Sequence, residues 1–169
     1  MADHVDRVVR QWAAERPDLD VSPMEVIGRL KRLSRLVDAE LKRNFAAYDL
    51  DAASFDVLAT LRRSGAPYRL TPTALMQSAM VTSGAITQRL DRLEARGLVT
   101  RSLSEVDGRS REVALTGAGH ALIDRALPAH VDTERGLLAG LDPAETSALV
   151  ETLRTLLASL GDSAADSEG

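Results

Sequence analysis

The sequence contains no cysteine, which removes disulfides, thiolate metal sites and thiol-based redox sensing together. Aromatic residues make up only 3% of the chain, while Leu, Ala and Val abound, a bias expected when packing occurs between helices rather than strands. No segment approaches the uninterrupted apolar run of about 20 residues that spans a bilayer. The opening residues MADHVDRVVRQWAAE are charged throughout, unlike a signal peptide. A cytoplasmic protein without a membrane partner is the expectation.

Neither sign of charge dominates. The net charge of -4 gives no overall attraction to nucleic acid, so any such attraction has to come from local distribution. That distribution is uneven: from Glu112 onward there are ten acidic and three basic residues, and before it fifteen acidic and eighteen basic. The acidic excess belongs to the C-terminal arm, whose last stretch, GDSAADSEG, lacks any apolar period and reads as a disordered tail over 161–169.

What is present fits 169 residues with 44% hydrophobic content, enough for one globular domain with helical arms. Helix starts are well punctuated. Ser22, Pro23 and Glu25 form a cap, a first-position Pro and a capping box. A long helix follows to about Phe45, with Ile27, Leu30, Leu33, Val37 and Leu41 at helical spacing. Asp51 starts a shorter helix carrying Phe55, Leu58 and Leu61. Thr71-Pro72 opens a two-turn helix to Ser78, and Ser83 caps another that Gly97 stops.

The period then changes from helix to strand. Residues 98–103 and 111–115 are short β-prone runs around a hairpin tip at Glu105 to Arg109. Helix returns at Thr116, with Pro128 expected to kink or interrupt it. Asp142 and Glu145 cap the last helix, where Leu149, Leu153, Leu156 and Leu160 share one face, as on a partner-seeking helix.

Two helices joined by a tight turn and followed by a β-hairpin make a winged helix-turn-helix, whose second helix enters the major groove while the wing touches backbone or minor groove. At about 100° per residue, Ile86, Leu90 and Leu93 point one way and Gln88, Asp91 and Arg92 roughly the other. Gln88 both donates to and accepts from a base edge, Ser83 and Thr87 suit phosphate or base, and Arg92 suits phosphate. On the wing, Arg109 and Arg111 lie on one side of a strand, and Asp107 is placed to orient Arg109. Each of these side chains also fits an ordinary polar surface; the order of elements is what favours DNA contact.

Residues 71–122, with the D-x-R wing motif at Asp107-Gly108-Arg109, resemble the winged helix of the MarR family, and the resemblance extends across 22–160. It implies a mainly α winged helix-turn-helix protein acting as a homodimer on a pseudo-palindromic operator in double-stranded DNA. The lobe would be 51–115, the dimerisation helices 21–50 and 116–160, and 1–20 an additional N-terminal helix.

A narrower resemblance rests on Trp12, Asp56, Arg89 and Arg101, which look like the set of the urate-responsive branch. It implies a repressor released by a small anionic ligand, either urate or a related purine, or a tricarboxylate such as citrate or trans-aconitate. Independently, Arg89 lies about 60° from the centre of the apolar face, where an uncompensated guanidinium is costly to bury. Asp56 is the carboxylate expected to pair with it, either as a plain salt bridge or as the group an anion replaces.

His4, His120 and His130 have no metal-ligand spacing, no phosphate-binding loop follows a strand, and no nucleophile, base and orienting group come together. No cofactor, metal or enzymatic activity is expected. The alternative to a ligand-released repressor is a ligand-independent dimeric DNA-binding or interaction protein.

Overall fold

The structure, a computed structural model, describes residues 2–79, 86–103 and 111–162. The expected cap Ser83, the wing residues Asp107 and Arg109, and most of the acidic tail lie outside these. The chain forms two compact units, Met1–Leu41 and Lys42–Gly169.

In the first unit, α1 (His4–Glu15) starts on a capping box: the Asp3 carboxylate accepts from the Val5 and Asp6 amides, and Asp6 accepts from the Asp3 amide. α2 (Pro23–Ala46) continues into the second unit. Its Arg29 donates to Asp3 at 2.8 Å and to Asp6 at 2.5 Å, so one guanidinium joins the α1 cap to α2. Beside it Val5 is buried against Gly28, where an added Cβ would stand 3.1 Å from a Val5 methyl. The cap and capping box expected from Ser22 and Glu25 are not formed: the Ser22 hydroxyl donates to Asp20 at 3.2 Å, and the Glu25 amide bonds the Ser22 main-chain carbonyl at 3.0 Å.

The second unit is built around α3 (Ala52–Arg63), capped by Asp51 through the Ser54 amide. Phe55, Val57, Leu58 and Leu61 are buried. Phe45, at the end of α2, stacks on Phe55 with ring centroids 4.5 Å apart, and His130 lies 4.6 Å from Phe55. A two-residue strand, β1 (Arg69–Leu70), precedes α4 (Pro72–Ser78), which Thr71 caps with Pro72 in the first turn. Then come α5 (Ile86–Ala95), β2 (Val99–Leu103) and β3 (Arg111–Leu115). The sheet has order β1-β3-β2, antiparallel throughout, with Arg101 opposite Val113 and Leu70 opposite Val113 on the other side. β1 has no counterpart in the sequence reading; two residues carry no period, and pairing with β3 alone makes them a strand.

α6 (Gly117–Leu137) and α7 (Pro143–Ser159) complete the chain. Leu122, Ile123 and Ala126 bury one face of α6. Of the kink or interruption expected at Pro128, the interruption does not occur: α6 runs through it. Pro128 removes a bond to the Asp124 carbonyl, but both residues are exposed, so that carbonyl is not left buried without a donor. α7 has the expected capping box at Asp142 and Glu145.

The tightest joint lies where α6 starts. Thr116 donates its amide to the Leu98 carbonyl at 3.1 Å and its hydroxyl to the Gly97 carbonyl at 2.7 Å. One turn on, a Cβ on Gly119 would fall 2.0 Å from the Leu98 carbonyl oxygen. Backbone occupies that space and cannot swing aside as a side chain would. Gly119→Ala is therefore expected to cost about 1–3 kcal/mol, the range for overpacking a close-packed site, measured by urea unfolding. Gly117→Ala, with open space at its Cβ, is the control and should change stability much less.

Candidate nucleic-acid interface

α4 and α5 are the helix pair the sequence reading anticipated, and β2 and β3 flank the wing. On α5, Leu90 and Leu93 are buried, while Thr87, Gln88, Asp91 and Arg92 are exposed. Packing therefore fixes one face and leaves the other exposed. Arg111 is exposed at the start of β3. The helix ends in a left-handed turn at Gly97, φ +67°, whose amide bonds the Glu94 carbonyl while the Leu98 amide bonds that of Leu93. A residue with a Cβ resists this conformation, so glycine sets where α5 stops and β2 begins.

Arg89 stands between the two faces, its side chain 20% exposed. Its partner corrects the sequence reading. Nη1 donates to Asp51, the cap of α3, rather than to Asp56. The expectation chose the carboxylate flanked by the apolar Phe55 and Val57, yet a cap residue stands outside helical register and was the one within reach. The Arg89 Nε is buried without a hydrogen-bond partner. A groove of about 550 Å³ adjoins the pair, lined by Leu50, Asp51, Ser54, Arg92 and Arg96 among others. Arg96 is engaged there by Asp49, at 3.1 Å.

Asp51 is held below the usual carboxylate range. Burial pushes it up, but the Ser54 amide and hydroxyl and the Arg89 and Arg92 guanidinium groups together outweigh that. Arg101, the other arginine of the proposed ligand set, is held by two carboxylates: its amide and guanidinium reach Glu94, at 3.1, 2.9 and 2.6 Å, and its Nη2 reaches Asp91 at 2.5 Å. Composition and period gave no signal for this cluster. A signal existed in the positions of Asp91 and Glu94, three apart on one helix and facing the next strand. Asp56 is half-buried on α3. Trp12 belongs to the N-terminal unit, on α1, and is 45% exposed.

The sequence profile of the MarR family matches residues 48–110, from just before α3 into the wing. Over 145 residues the chain is 46% identical to the HTH-type transcriptional regulator PecS of Dickeya dadantii, covering 86% of this chain and 87% of that protein. The chain belongs to the MarR family. Among solved MarR-family structures, a mutant MarR from E. coli complexed with operator DNA is 29% identical, with a TM-score of 0.70 over 82% of this chain and 99% of that one. BpsR of Bordetella bronchiseptica, whose DNA binding is regulated by 6-hydroxynicotinic acid, is 28% identical, with a TM-score of 0.69 over 78% and 98%.

As a MarR-family protein the chain is a DNA-binding transcriptional regulator, not an enzyme. α5 is its recognition helix. Among the described residues no helix is long and apolar enough to cross a membrane.

The Asp51 contacts set a pH dependence. A carboxylate whose folded-state pKa is depressed stabilises the fold fully above its unfolded value of about 3.9 and loses that contribution as pH falls through the lower folded value. Asp51→Asn keeps the cap but not the charge. The stability gap between wild type and this variant should be constant near neutrality and shrink in acid unfolding series below pH of about 4. A gap that stays constant into strong acid would contradict the lowering of Asp51 by the Ser54 hydrogen bonds and the two guanidinium groups.

Proposed function

We propose that this regulator is a homodimeric repressor that holds a pseudo-palindromic operator and is released by a small anionic metabolite, either a purine such as urate or a tricarboxylate such as citrate or trans-aconitate. The observation that carries this reading is Arg89. It sits on the recognition helix, is mostly buried, and is held by one carboxylate while its Nε has no partner. Asp51 itself borders the groove. An anion there competes with Asp51 for the guanidinium, and moving the partner of Arg89 moves α5. Differential affinity for the two arrangements is what drives release, typically about 1–3 kcal/mol of coupling. Arg101 enters such an exchange only by giving up two carboxylates, which makes Arg89 the first point of contact. Regulation of BpsR by a carboxylic acid is consistent with an anion in this role.

DNA recognition in this reading falls to Thr87, Gln88 and Arg92 on α5, with Ser83 ahead of it and Arg109 and Arg111 on the wing. The homodimer is supported by α7, which buries none of its residues in the single chain, with Val150, Leu157 and Leu160 exposed at 46%, 48% and 75%. Leu127, Val131 and Leu138 of the preceding segment are exposed as well. Exposed apolar side chains in this number belong against a second copy, and two-fold symmetry matches a pseudo-palindrome.

Titration of urate, xanthine, citrate and trans-aconitate against the protein–DNA complex tests the switch. Release by one of these anions, lost in Arg89→Ala, is the expected outcome; an equal response from both proteins overturns it, and no response to any anion favours ligand-independent binding. For assembly, light scattering at micromolar concentration should show a dimer that Leu157→Glu weakens or dissociates. A stable wild-type monomer would exclude the symmetric operator reading.

A further inference from the structure

Asp91 lies 60° around α5 from Gln88 and within about 100° of Arg92 at helical geometry, so a carboxylate stands inside the face that meets DNA. Its side chain is 58% exposed. Glu94 follows one turn later, 39% exposed. Two negative charges on a recognition helix work against a ligand with one negative charge per about 1.7 Å of axis. Arg101 answers both. Its side chain is 25% exposed, and its amide and guanidinium are directed to these carboxylates at 2.5 to 3.1 Å.

The geometry points to Arg101 as a positioning residue for operator binding: from the base of the wing strand β2 it neutralises Asp91 and Glu94 on the recognition helix and fixes the wing to that helix, without itself contacting DNA. Two features separate this role from a phosphate contact. The guanidinium is committed to Glu94 through two nitrogens and to Asp91 through one, a charge-assisted fork that a phosphate would have to dismantle. Arg101 also sits opposite Val113 in the β2–β3 ladder, so its backbone is fixed by the sheet while its amide donates to Glu94. Wing and recognition helix are therefore joined through both main chain and side chain. The Arg101 side-chain hydrogen bond, ahead of its amide and its charge, holds Glu94 below the usual carboxylate range.

The test is a double-mutant cycle on a duplex selected from a random pool by the wild-type protein. Affinity is measured for wild type, Arg101→Ala, Asp91→Asn/Glu94→Gln, and the triple variant. In the native background Arg101→Ala should weaken binding about ten-fold or more, the coupling expected of groups in one network. In the Asn/Gln background the same change should cost less than about three-fold, because the charges it neutralised are gone. An equal loss in both backgrounds overturns the proposal and makes Arg101 a direct DNA ligand. The salt series gives a second readout: losing a phosphate contact lowers the slope of log affinity against log salt by about 0.9 in both backgrounds. Should the alanine variant fail to fold, Arg101→Lys replaces it. It keeps the charge without the fork and should lose about two- to five-fold in the native background only; loss in both, or in neither, overturns the assignment.

Discussion

The turn after the recognition helix is the constraint on which the DNA-binding lobe depends. At Gly97 and Leu98 the chain leaves α5, and the start of α6 closes on that turn through Thr116 and the bare backbone of Gly119. The end of α5, the first residue pair of the β2–β3 ladder and the first turn of α6 thus meet at one point where not even a Cβ has room. Close packing transmits displacement instead of absorbing it. A shift of α6 is therefore felt at the recognition helix, and a shift of the recognition helix is felt along α6.

Around that joint the charged side chains act as fasteners between elements. Arg62 of α3 reaches Asp124 of α6 at 2.7 Å and lies over the Tyr68 ring. Arg96, just past α5, takes the Asp49 carbonyl at 2.6 Å. Arg89 and Arg101 fix the two ends of α5 to α3 and to β2. Exposed ion pairs contribute little stability one at a time, so these are better understood as setting orientation: the apolar core holds α5 in place, and the arginines determine its angle.

The architecture was legible in the sequence because it is written in local chemistry. Caps at Asp51, Thr71, Thr116 and Asp142 act within one turn, Gly97 within one residue, and the apolar stripe of α5 within three turns, so each can be read without knowing what lies across the fold. One failure is local too, the Ser22 hydroxyl turning to Asp20 two residues back instead of capping α2; the others share the opposite property. β1 exists only through pairing with β3, Pro128 was tolerated because its neighbourhood is wet, and the Arg89 partner was decided by the approach of two helices 38 positions apart in sequence. Of the candidate site, the exposed Thr87, Gln88, Arg92 and Arg111 follow from helical and strand period. The clamping of Arg101 by Asp91 and Glu94 does not, since it needs the distance between a helix face and a strand.

One feature of the N-terminal unit bears on how the protein can be observed. α1 is attached to α2 at its first turn, through Arg29 with Asp3 and Asp6 and through Val5 against Gly28. Trp12, two turns further along the same helix, is the single tryptophan of the chain. Intrinsic fluorescence excited at the indole band thus carries one emitter, 45% exposed and two turns beyond the pinned start of its helix. The signal reads the surroundings of that arm before those of any other part of the molecule, which gives the N-terminal helix a built-in optical label without any substitution.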